Sequence, residues 1–120
     1  SKEIIQNYLS AMQTRDLKLA NSFINDEFII TCPGNEVFYT IESFLDWGKL
    51  RYKNIKKDIS AIDSSFNGLE AIIYCHGTLQ GEWLDGKPFK GIRFIDKFHT
   101  KHSKIISQEI WNDVDLMKEP

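Results

Sequence analysis

Apolar residues recur at helical spacing from the start of the chain. Ile4, Ile5, Tyr8, Leu9 and Met12 share one stripe, so 1–14 is predicted to be an amphipathic helix capped by Ser1. Asp16 is placed to cap a short second helix through Phe23, with Leu17, Ala20 and Ile24 turned inward. Asn25-Asp26 then reads as a turn, and Phe28–Thr31 as a short strand ended by Cys32-Pro33-Gly34-Asn35. Val37–Tyr39 is a brief extended piece. Thr40 is expected to cap a third helix reaching Tyr52 or Lys53, its inner stripe made by Ile41, Phe44, Leu45 and Gly48.

From Asn54 the period changes. Residues 55–66, 69–84, 87–100 and 104–113 read as four successive strands, separated by Asn67-Gly68, Asp85-Gly86 and Lys101–Lys104. Gly77 and Gly81 mark a bulge or bend in the second of them. The last seven residues read as a polar tail. Helices first and a meander of strands afterwards predict an α+β domain spanning 1–120, with three N-terminal helices packed on one face of a curved, mainly antiparallel sheet.

Counting outwards from a two-residue turn at Asp85-Gly86 pairs Leu79 with Ile92, Gly77 with Phe94, Cys75 with Asp96 and Ile73 with Phe98. One face is then apolar except for a single carboxyl, Asp96. Such a group must be paired, hydrogen-bonded or protonated. The opposite face carries Tyr74, His76, Arg93, Ile95, Lys97 and His99. Exposed Tyr74 and Ile95, with Trp111, point to a homodimer formed through that outer face. The last strand has two registers. A three-residue turn puts Ile106, Gln108, Ile110 and Asn112 inward beside Asp96; a two-residue turn puts Glu109 and Trp111 there. The first is favoured because it buries the isoleucines.

Composition narrows the chemistry. A net charge of −2 gives no reason to expect nucleic acid or an anionic membrane as partner. No apolar run is long enough to span a bilayer, and no leader is visible, so a cytoplasmic location is expected. Cys32 and Cys75 form neither a disulfide framework nor a zinc pattern. His76, His99 and His102 do not converge, so no metal site is expected. Trp47 and Trp83 are candidates for a pocket mouth, although aromatic core is the commoner role for such residues.

The whole chain resembles the nuclear transport factor 2-like superfamily, in particular its SnoaL-like and ketosteroid-isomerase-like members. The resemblance rests on Ile4–Met12 with Asp16-Leu17, on Asp26-Glu27-Phe28 followed by Cys32-Pro33-Gly34, on Phe94–Phe98 followed by Lys104-Ile105-Ile106, and on Trp111-Asn112-Asp113. It implies a cone-shaped α+β barrel enclosing one apolar pocket and commonly dimerising through the sheet. It also implies that Tyr8 and Asp96 match the tyrosine and protonated acid of a ketosteroid isomerase oxyanion hole, while Cys32 stands where the proton-shuttling aspartate would be. The Arg-x-Asp pair of epoxide-hydrolase-like members is missing, since Arg93 and Asp96 lie on opposite faces.

The expected pocket residues are Phe28, Ile30, Cys32, Ile73, Cys75, Phe94, Phe98, Gln108 and Ile110, with Tyr8 and Asp96 as candidate catalytic hydrogen-bond donors. Against this stands the structural reading, in which Asp96 and Tyr8 satisfy one another or the backbone and Cys32 is an inert buried thiol. The first function class is a binder of a small apolar or aromatic molecule, with cofactor-free isomerisation, cyclisation or dehydration as its enzymatic form. The alternative is a non-catalytic homodimeric binding or scaffold module.

Overall fold

The structure, a computed structural model, describes residues 2–118. The expected Ser1 cap, Glu119 and Pro120 lie outside the described residues. The elements run α1 (Lys2–Thr14), α2 (Leu17–Ser22), β1 (Ile24–Cys32), a 3-10 turn (Pro33–Asn35), β2 (Glu36–Phe38), α3 (Ile41–Lys49), β3 (Tyr52–Asn67), β4 (Glu70–Trp83), β5 (Pro88–Lys101), β6 (Lys104–Asn112) and α4 (Val114–Met117). The six strands form one sheet ordered β2-β1-β6-β5-β4-β3. All neighbours are antiparallel except β1 and β6. The fold is thus a mixed α+β one, a curved, unclosed sheet with helices packed on one face.

Local chemistry accounts for the helix starts. Asp16 accepts from the Leu19 amide at 3.2 Å, and Thr40 Oγ1 accepts from the Ser43 amide at 3.1 Å. The α1 stripe buries Ile5, Tyr8, Leu9 and Met12 against the sheet. Burying side chains of this size stabilises the fold by roughly 1.5–3 kcal/mol each.

Four boundaries differ from expectation. Helix α3 stops at Lys49, and Tyr52 already opens β3. Gly48 is the reason: a Cβ there would lie 2.8 Å from the Tyr52 hydroxyl, so its absence lets the ring fold back on the helix. Strand β1 begins at Ile24 and continues through Asn25-Asp26. The turn signal there is expressed as an irregularity, with the Asn25 side chain accepting from the Glu27 amide and the register against β6 shifting between Ile24 and Ile29. The tail is not wholly polar, because α4 buries Val114. The β4–β5 turn holds three residues, Trp83 pairing with Lys87 through its amide.

The register counted across β4 and β5 is nevertheless the observed one: Leu79 pairs with Ile92, Gly77 with Phe94, Cys75 with Asp96 and Ile73 with Phe98. One extra residue on β5 between Phe89 and Ile92 offsets the longer turn, and Gly91 accommodates it at φ +73°. The same cancellation occurs in the next hairpin. Its turn has two residues, His102 and Ser103, rather than three, and a shift between His99 and Thr100 returns Gln108 and Ile110 to the inner face. Ile105 is fully buried and Ile106 half-buried.

Close approach explains Gly77 and Gly81. A Cβ at Gly77 would sit 1.9 Å from the Asp58 carbonyl oxygen, and one at Gly81 2.2 Å from that of Asn54. Both glycines therefore let β3 bend tightly over β4. The inner face buries Ile73, Cys75, Leu79, Ile92, Phe94, Asp96 and Phe98, while Tyr74, Ile95 and Trp111 are exposed on the outer face. No helix among the described residues is long and apolar enough to cross a membrane.

Candidate functional site

Asp96 stands mid-strand on β5, between Cys75 of β4 and Ile110 of β6, and is fully buried. Gln108, two residues from Ile110 on β6, shares this face. Tyr8 reaches the same place from the α1 stripe. Its hydroxyl donates to Gln108 Oε1 at 2.9 Å, and the Gln108 amide nitrogen donates to Asp96 Oδ2 at 3.5 Å. A third group completes the site: the Lys57 ammonium, from β3, donates to the same Oδ2 and forms an ion pair with it. The ammonium also lies 5.1 Å from the centre of the Phe94 ring. Asp96 Oδ1 is buried and has no hydrogen-bond partner among the described residues.

Lys57 is the residue that sequence reading missed. Continuing the β3–β4 pairing outwards from Asn67-Gly68 would set Lys57 against Gln80, on the outer face. A register shift between Ile59 and Ala61 moves it opposite Leu79, on the inner face. The one available signal was the spacing Ile55, Lys57, Ile59, a cation alternating with two isoleucines.

Burial raises the Asp96 carboxyl above the ordinary carboxylate range, and the Lys57 charge and the bonds from Lys57 and Gln108 oppose that rise. Burial raises the Tyr8 phenol as well, assisted by the Asp96 charge. The Cys32 thiol is pushed up to about 12 by burial, against the nearby Arg51 charge, and Cys75 up to about 11, again mainly by burial. Both thiols are therefore protonated at neutral pH, and Cys32 cannot stand in for a carboxylate base.

A cavity of about 330 Å³ opens between α1, α3, β3 and the inner sheet face. Of the expected residues, Tyr8, Cys32, Phe94, Asp96, Gln108 and Ile110 line it. Phe28, Ile30, Ile73, Cys75 and Phe98 belong to the packed core instead. Trp47 lines the cavity too, beneath the Arg51 guanidinium, which lies 4.4 Å over its ring and pairs with Asp115. Trp83 does not; it packs on Phe89 with ring centres 4.3 Å apart. His99 bonds Glu70 at 3.0 Å on the outer face, and no cluster of three metal-ligating side chains occurs among the described residues.

No family model matches the chain, and no curated protein matches it by sequence. Solved structures do match. A nuclear transport factor 2-like protein of unknown function from Burkholderia pseudomallei superposes with a TM-score of 0.78 at 11% identity, over 97% of this chain and 92% of that one. TerC, co-crystallised with polyporic acid, superposes with a TM-score of 0.77 at 14% identity, over 95% and 92%. A protein with a ketosteroid isomerase-like fold from Catenulispora acidiphila, in complex with trimethylamine, gives 0.69 at 12% identity, over 91% and 84%. The helices and the bent sheet thus superpose on these structures, and the chain has the nuclear transport factor 2-like fold shared by SnoaL-like and ketosteroid isomerase-like proteins.

Proposed function

We propose that this domain holds one small, largely apolar molecule in the cone, with an O–H or N–H of the ligand donated to Asp96 Oδ1. The observation that carries the reading is that bare oxygen. It belongs to a fully buried carboxyl whose other oxygen already serves Lys57 and Gln108, and Asp96 is one of the residues lining a cavity of about 330 Å³. A volume near 300–1,000 Å³, mostly apolar with a few convergent polar groups, suits a small organic ligand. That TerC and the Catenulispora acidiphila protein were crystallised with small organic molecules supports the same use of this fold.

Tyr8 serves in this reading as a support, because its hydroxyl is committed to Gln108. Binding is favoured over ketosteroid-isomerase-like proton shuttling, since the protonated Cys32 offers no second base. The test is calorimetric titration with 2-naphthol. One site per chain is expected, weakened by about 1–3 kcal/mol in Asp96→Ala, where the donor loses its buried acceptor. Absence of binding, or equal affinity in the folded variant, removes the reading.

We further propose that two copies associate through the outer sheet face. Ile95 lies directly opposite Trp111 there, and both are about half exposed, at 47% and 51%. Sedimentation is expected to give a dimer that Ile95→Lys converts to a monomer with unchanged 2-naphthol binding. A wild-type monomer at micromolar concentration would exclude it.

A further inference from the structure

The cavity wall is unevenly charged. Asp96 is its sole acid among the described residues, whereas Arg15, Arg51, Lys56 and Lys57 all line it, in a chain whose net charge is −2. Asp115 pairs with Arg51 at the mouth, which still leaves an excess of positive charge. Of these cations Lys57 is the one that contacts the carboxyl, and an ammonium has three donors, so one bond to Asp96 does not exhaust it. We infer that the ligand is an apolar carboxylic acid, aromatic or alicyclic, whose carboxylate lies beside Lys57 and shares a single proton with Asp96 Oδ1.

This inference rests on the binding reading above and narrows its ligand class. Two carboxylates cannot both remain ionised beside one ammonium in a buried wall. The ligand arrives as an anion, one proton is taken from solvent, and it is held between the ligand oxygen and Oδ1. The product is one ammonium, one shared proton and two carboxyl groups, with a net charge of zero in the wall. The oxygen that lacks a partner gains one, and the Lys57 charge is divided between both carboxyls.

The other groups that face Asp96 cannot supply or absorb this proton near neutral pH. Tyr8 comes from α1 through Gln108 of β6, Cys32 from β1 and Cys75 from β4. Burial keeps the phenol and both thiols protonated. Lys57 on β3 already spends a donor on that carboxyl. Uptake therefore falls on Asp96.

The sign follows from linkage. The bound state holds one proton more than the free protein and the free anion together, so affinity falls as pH rises.

Calorimetry of the whole chain with 2-naphthoate, 2-naphthamide and 2-naphthol, in phosphate and in Tris, tests this. Naphthoate is expected to bind roughly tenfold tighter than naphthamide near neutral pH, with uptake of about one proton per ligand read from the buffer difference. Asp96→Asn should abolish the uptake and the pH dependence while keeping a donor for the carboxylate. Lys57→Gln should remove the preference for naphthoate over naphthamide. Naphthol bound by the wild type, with naphthoate neither preferred nor accompanied by proton uptake, overturns the inference and leaves the binding reading standing. Failure of all three compounds to bind overturns both.

Discussion

Phe98→Ala is expected to lower the unfolding free energy by ~3–5 kcal/mol, and Phe94→Ala by clearly less, ~1.5–3 kcal/mol. The two phenylalanines lie four residues apart on the same face of β5, and both are almost fully buried. Their surroundings differ. Phe98 meets Tyr8 edge to face at a centroid distance of 5.9 Å, and Tyr8 in turn meets Phe28 at 6.3 Å. Tyr8 is held by its bond to Gln108, so this cluster cannot collapse into the space a deleted ring leaves. Phe94 pairs across the sheet with Gly77 and lines the cavity. Removing its ring enlarges a space that already exists, and the loss is mostly the transfer free energy of the ring. Urea unfolding of both variants measures the difference. Equal losses would mean that the cone is closed and packed in solution.

Lys57→Met is expected to destabilise the fold by about 3–5 kcal/mol near neutral pH, because it leaves a buried carboxylate without its counter-charge. The pH dependence has a definite sign. The Asp96 carboxyl is raised in the folded state by burial, against the opposing Lys57 charge and the bonds from Lys57 and Gln108. A raised carboxyl contributes its stability fully below the unfolded value and loses it as pH rises through the folded one. Removing Lys57 takes away the largest opposing influence and raises the carboxyl further. The variant should therefore be close to the wild type in acid, where Asp96 is protonated in both, and fall away as pH rises. Lys57→Met with Asp96→Leu should recover most of the loss, since a matched apolar pair is often as stable as a buried ion pair. Thermal unfolding across pH tests this, and a loss independent of pH would contradict it.

Much of the apparatus around Asp96 is legible in the sequence. The stripe Ile5, Tyr8, Leu9, Met12 aims the phenol inward, and strict alternation on β5 puts Phe94, Asp96 and Phe98 on one face. The register across β4 and β5 was also readable, although through two errors that cancel. The Asp85-Gly86 signal located the hairpin but not its turn length, and the extra residue near Gly91 restored the count. Apolar faces enforce this outcome, because a one-residue slip would expose Ile92, Phe94 and Phe98 together.

Short-range pattern therefore determined, by itself, the presence of α1, α2 and α3, the strand order in β3–β6, the inner face of β5 and the isolation of its one acid. Those features follow from periods of two and 3.6 residues and from turn chemistry, all of which act within a few positions. Only the tertiary structure decided what that acid meets. Lys57 lies 39 residues away in sequence, and its side faces inward because of a single irregularity between Ile59 and Ala61. The same holds for the division between wall and core, which separates Phe94 from Phe98 although their sequence contexts are alike. Whether a buried ring meets another ring or open space depends on how far α1 and α3 stand from the sheet. That distance is set by packing across the whole cone, with Gly48, Gly77 and Gly81 permitting the close approaches, and no local pattern encodes it.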